Sequence, residues 1–199
     1  MNYAIIGFGK IGQAIAKSFA RNGIEVSVAT TRPPESFASA AAAIGPKVIP
    51  KTLAEAVEAD IIFLAVRFES HQDVAKALPN WNGKTIVDVT NAYGVPPEQL
   101  GGQPSAQVVA QAFTGAKVVK GFNHLVAAVL EKDPAIQGGR RVVFLASDDD
   151  AATAQVGALA ESFGYAFINL GGLSEGGLLV HARGNSWGQL IFKDLVKFD

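Results

Sequence analysis

Three glycines near the amino terminus, Gly7, Gly9 and Gly12 in "IIGFGKIGQAIAKSFARNG", have the spacing G-x-G-x-x-G. Each suits one part of a phosphate cradle. Gly7 allows a tight strand-to-helix turn, Gly9 lets the backbone approach a pyrophosphate with no Cβ in the way, and Gly12 lets the helix lie close to the strand. Phe8, Lys10 and Ile11 fill the positions between, at the start of a helix whose free N–H groups and positive dipole end attract phosphate. Glycines also occur at turns that bind nothing, and a phosphate-free turn in an unrelated α/β domain is the alternative. The context favours the cradle: a strand begins at residue 3, the helix carries Ile11, Ile15 and Phe19 on one face, and a second strand follows at 25–30.

The end of that second strand indicates which dinucleotide. NAD sites place an Asp or Glu there to accept from the adenosine ribose hydroxyls. Here the sequence reads "VATTRPP", with Thr30, Thr31 and Arg32 and no acid. Two hydroxyls and a guanidinium suit a 2′-phosphate, which a carboxylate would repel. NADP(H) is therefore the expected cofactor. The competing reading of Arg32 is a solvated charge ahead of a helix that the two prolines introduce.

Other residues with chemical potential carry less. The chain has no cysteine, which removes disulfides, thiolate catalysis and Cys-type zinc sites together. His71 and His181 are isolated. Asp148 to Asp150 stand at the head of a helix, where capping and dipole pairing explain them better than a metal, and no metal is expected. Trp187 reads as a core or interface aromatic, with a place facing an electron acceptor as the alternative. A net charge of −1 with no basic cluster gives no footprint for nucleic acid. Apolar runs such as "IIFLAV" are too short to cross a bilayer. With the first strand starting by residue 3 there is no room for a cationic and apolar leader, so a cytoplasmic protein is expected.

The elements that must position the glycine loop alternate along the chain. Strands are expected at 3–7, 25–30, 47–50, 60–66, 85–90, 117–122, 141–147 and 166–171, and helices at 11–22, 35–43, 52–58, 71–77, 105–112 and 150–163. The order reads β-α-β throughout, which predicts a doubly wound, mostly parallel sheet of about eight strands with helices on both faces. Residues 91–104 form the longest irregular piece, a loop at a sheet edge or ligand rim. A single domain over 1–199 is expected. Its segment 172–199, with Leu190, Ile191, Leu195 and Val196 on one face, caps the domain or pairs two subunits in a homodimer.

The pieces "IIGFGKIGQAIAKSFARNG", "TTRPP", "ADIIFLAVRFES", "IVDVTNAYG" and "VVKGFNHL" resemble the deazaflavin-dependent NADP oxidoreductase family, whose Rossmann domain also resembles the cytoplasmic domain of membrane ferric reductases. The resemblance implies that Ala65, Val66 and Arg67 border the adenosine and phosphate path. It places Asn91 and Ala92 beside the ribose and nicotinamide, and Phe122, Asn123 and His124 beside the nicotinamide and the acceptor. The family commonly carries proline where Arg67 and Ala92 stand, so this chain departs there. The activity implied is hydride transfer between NADP(H) and a diffusible flavin, deazaflavin or similar acceptor, a chemistry that needs stacked rings and excluded water more than a side-chain base. Asn123 and His124 are the candidates for any catalytic role. Two other readings remain open: a non-catalytic NADP-binding redox sensor, and a reductase of a small carbonyl compound. Residues 172–199 are too few to append the helical domain on which Rossmann enzymes of the hydroxy-acid and pyrroline type carry their catalysts.

Overall fold

Strands buried on both faces read as continuous apolar runs, and this chain supplies them at intervals too short for anything but single helices between. The computed structural model describes residues 1–180. Its strands are β1 (Tyr3–Ile6), β2 (Val26–Ala29), β3 (Val48–Pro50), β4 (Ile61–Leu64), β5 (Thr85–Asp88), β6 (Lys117–Gly121), β7 (Ala135–Ile136), β8 (Gly139–Arg140), β9 (Val142–Ala146) and β10 (Ala166–Asn169). The helices are α1 (Lys10–Arg21), α2 (Ala38–Ile44), α3 (Leu53–Ala56), α4 (His71–Ala75), α5 (Ser105–Ala112), α6 (Ala127–Leu130), α7 (Asp150–Ser162) and α8 (Gly176–Leu179).

Eight strands form one sheet in the order β10-β9-β6-β5-β4-β1-β2-β3, and β7 and β8 form a separate hairpin. Because side chains alternate across a strand, the sheet divides its apolar residues between two layers. Ile5, Phe63, Val87 and Val119 pack with α1, α2 and α7 on one face. Ala4, Ile6, Ile62, Leu64, Ile86 and Val118 pack with α3, α4 and α5 on the other. The doubly wound sheet expected from the sequence is thus present, with all eight expected strands in it.

The connection after β6 departs from the expected β-α-β rhythm. β6 pairs antiparallel with β9, through Lys120↔Ala146 and Gly121↔Leu145. Between them lie only the single turn of α6 and the β7–β8 hairpin, so no crossover helix carries the chain back beneath the sheet, as a parallel strand would require. β10 then pairs parallel with β9. At the head of α7, Asp149 caps the helix by accepting from Ala152 N–H at 2.8 Å and pairs with Lys117 at 3.0 Å, while Asp148 accepts from Leu173 N–H. No helix among the described residues is long and apolar enough to cross a membrane. His181, Trp187, Leu190, Ile191, Leu195 and Val196 lie outside the described residues.

Candidate cofactor site at the carboxyl ends of the strands

β1 continues to β2 on one side, while β4 lies on its other side, so the direction of winding reverses between β1 and β4. A crevice opens beyond the carboxyl ends of strands at such a point. The three glycines meet it in three different ways. Gly7 has φ +101°, and a Cβ there would overlap the Ala65 carbonyl. Gly12 lies so near the strand end that a Cβ would overlap the Gly7 carbonyl. Gly9 is different, because a Cβ on it would meet nothing within 4 Å. The fold itself excludes a side chain at the first two, whereas at the third it leaves the space open. Gly9 is also the N-cap of α1, and no side chain among the described residues caps that helix. Its first N–H groups remain for a ligand.

Two cavities meet at Gly9. One, about 400 Å³, is lined by Gly7, Phe8, Gly9, Thr30, Thr31, Arg32 and Ser70. The other, about 460 Å³, is lined by Lys10, Ile11, Glu69, Val89, Thr90, Asn91 and Tyr93. Gly9, Ala65, Val66 and Arg67 belong to both, forming the strip between them. Phe8 is mostly an anchor, since it is 6% exposed and packs on Phe37 with ring centroids 5.8 Å apart. Thr30 orders the turn beyond β2 by accepting from Arg32 N–H at 3.0 Å. Thr31 and Arg32 are exposed at the cavity's rim.

Neither cavity is lined by Ala92, Asn123 or His124. Ala92 is buried in the core. Gly12 acts from beneath. Phe122 holds φ +61°, an unusual conformation for a bulky residue, with its ring edge-on to Phe63 and Tyr165. That bend directs Asn123 toward β5: Asn123 Nδ2 donates to Asn91 Oδ1 at 3.0 Å, and Asn91 Nδ2 donates back to the Asn123 carbonyl at 2.8 Å. His124 is buried against the Phe144 ring, and its Nε2–H donates to the Val142 carbonyl at 3.2 Å. Burial lowers its pKa to about 4, so it is neutral near pH 7. His71 is likewise a packing residue, its ring tilted against that of Phe68 and its Nδ1–H donating to the Phe68 carbonyl.

Sequence reasoning missed the polar framework under the second cavity. Lys120 and Asp88 form an ion pair at 3.0 Å with both side chains fully buried. Burial draws the Lys120 pKa down, and the Asp88 carboxylate opposes that shift. The signal was a charge inside each of two apolar strands, "KVVKG" and "TIVD", because charges inside a sheet must be paired.

Comparison with known proteins bears on the fold and the family resemblance. A family model described as NADP oxidoreductase, coenzyme F420-dependent, matches residues 2–92. A hypothetical protein from Sinorhizobium meliloti is 37% identical, with 100% of this chain and 96% of that chain covered and a TM-score of 0.90. A candidate F420-dependent NADP reductase from Arthrobacter sp. FB24 is 27% identical over 87% of this chain and 86% of that one, with a TM-score of 0.71. A reductive aminase from Aspergillus terreus in complex with NADPH shares the fold at 18% identity and a TM-score of 0.67; 89% of this chain matches 57% of that one. No curated protein matches the sequence.

Proposed function

We propose that this chain, which matches the coenzyme F420-dependent NADP oxidoreductase family model over residues 2–92 and resembles a 27% identical candidate F420-dependent NADP reductase over most of its length, is an NADP-dependent oxidoreductase that passes hydride between NADP(H) and a flavin, deazaflavin or similar diffusible acceptor. The open face of Gly9 carries the reading. It stands where the two cavities join, at an uncapped helix start, and is the one glycine of the three whose missing side chain leaves room outside the fold.

In this reading the adenosine end lies on the Arg32 side. Thr31 and Arg32 receive the 2′-phosphate through charge-assisted hydrogen bonds. The first N–H groups of α1 receive the pyrophosphate. Ala65, Val66 and Arg67 form the floor between the two ends. The nicotinamide end lies on the Asn91 side, where Ile11 and Val89 supply apolar wall and exclude water. The nicotinamide supplies the hydride when bound; the chain supplies binding, orientation and dryness. His124, buried and neutral near pH 7, is unsuited to donate a proton as an imidazolium.

The test follows NADPH absorbance while free flavins, a deazaflavin, ferric chelates, quinones and small carbonyl compounds are offered in turn. Turnover with a flavin or deazaflavin supports the reading. Turnover with a carbonyl compound alone, or with none of the panel, overturns it.

A further inference from the structure

Asp88 on β5 and Lys120 on β6 stand opposite each other in register, with their side chains fully enclosed by the sheet and its helices. Stability alone does not account for such a pair, because desolvating two charges offsets most of their attraction, and apolar replacements are often neutral or stabilising. What the pair does locally is hold one residue. Lys120 Nζ donates to the Thr90 carbonyl as well as to Asp88 Oδ2. Asp88 Oδ1 accepts from the Thr90 N–H at 2.9 Å and from the Thr90 hydroxyl at 2.7 Å. Every polar group of Thr90, a residue only 2% exposed, therefore ends on the pair.

Thr90 and its neighbours Val89 and Asn91 line the cavity on the Lys10 side, and none of them lines the cavity on the Arg32 side. We propose that Asp88 and Lys120 are positioning residues that hold the Val89–Asn91 segment as the wall for the nicotinamide end of the cofactor. This rests on the reading above, in which the adenosine end takes the Arg32 side. An apolar pair in their place would preserve the sheet but leave three buried polar groups on Thr90 without partners, and the segment would turn to find new ones. The wall would move while the adenosine side stayed intact.

The test uses the full chain with the double substitution Asp88→Leu and Lys120→Met. Two ligands are titrated: NADPH, and 2′-phospho-ADP-ribose, which lacks the nicotinamide. The expected variant binds 2′-phospho-ADP-ribose as the wild type does, loses about tenfold in NADPH affinity, and returns the emission of bound NADPH toward that of the free nucleotide. Wild-type NADPH affinity and emission in the double variant would overturn the proposal. So would equal losses for both ligands, since those report a general loss of structure. If the double variant does not fold, Thr90→Val decides, because it keeps the ion pair and removes one tether. It is expected to lose roughly threefold for NADPH alone, and wild-type behaviour overturns the proposal. A wild-type protein that binds neither ligand would instead refute the cofactor reading itself.

Discussion

Asn91 and Asn123, 32 residues apart, each donate a side-chain hydrogen bond to the other residue, and so tie the ends of β5 and β6 together. Asn123 Nδ2 also donates to the Val180 carbonyl at 2.7 Å, which fastens the end of the described chain to the same point. Asn123→Ala removes two of these bonds, one of them to the buried Val180 carbonyl, so a loss of about 1–3 kcal/mol is expected. Asn91→Ala also removes two bonds, but both are part-buried and the buried Val180 bond is spared, so it should cost less. Urea denaturation of the two variants checks the order; equal costs would show that the buried Val180 bond is worth no more than the part-buried bond from Asn91 to the Asn123 carbonyl.

Arg32→Ala is expected to weaken NADPH binding by about 1.5–3 kcal/mol, the range for hydrogen bonds to charged groups, or roughly ten- to a hundredfold. NADH lacks the 2′-phosphate and should be little affected. The difference should shrink as salt is added, since Arg32 is exposed at the cavity's rim. Thr31→Asp should go further, setting a carboxylate against the phosphate. Fluorescence titration of both nucleotides decides it, and equal losses for both would make Arg32 a mere surface charge.

Two glycine substitutions should behave in opposite ways. Gly9→Val places its side chain in open space, so the protein should melt near the wild-type temperature yet fail to bind the dinucleotide. Gly12→Ala drives a Cβ into the Gly7 carbonyl, and forced overpacking of this kind typically costs about 1–3 kcal/mol or more. Thermal melts paired with NADPH titration separate the two. Tight binding by a folded Gly9→Val protein would remove the cradle.

His124 gives the fold a specific acid sensitivity. Its folded pKa of about 4 lies below the usual 6.5, so between those values the unfolded chain binds a proton that the folded chain does not. The stability linked to neutral His124 is therefore complete above pH 6.5 and declines as pH falls toward 4, by on the order of 3 kcal/mol. His124→Leu should flatten that part of the pH profile. Denaturant midpoints for the two proteins at pH 7, 5.5 and 4.5 measure it, and parallel profiles would assign the sensitivity elsewhere.

Several features of this protein were determined by sequence alone because they depend on neighbours along the chain. The eight sheet strands are apolar runs bounded by glycine, proline or charge; the helix of Ile11, Ile15 and Phe19 declares itself by period. The cradle is a matter of three spacings, and the missing acid at Thr30–Arg32 is visible without coordinates. The antiparallel turn from β6 to β9 was not legible, because an apolar run looks the same whichever way its neighbour points. The single turns of α6 and α8 and the two-residue strands of the hairpin are too short to show a period. Above all, nothing local joins Asp88 to Lys120 or Asn91 to Asn123. Both pairs span 32 residues, and they meet only because the chain between them, including α5, returns β6 beside β5 in that register. A charge in an apolar strand announces that it needs a partner, but only the folded sheet, by setting which residues face each other across it, decides which partner that is.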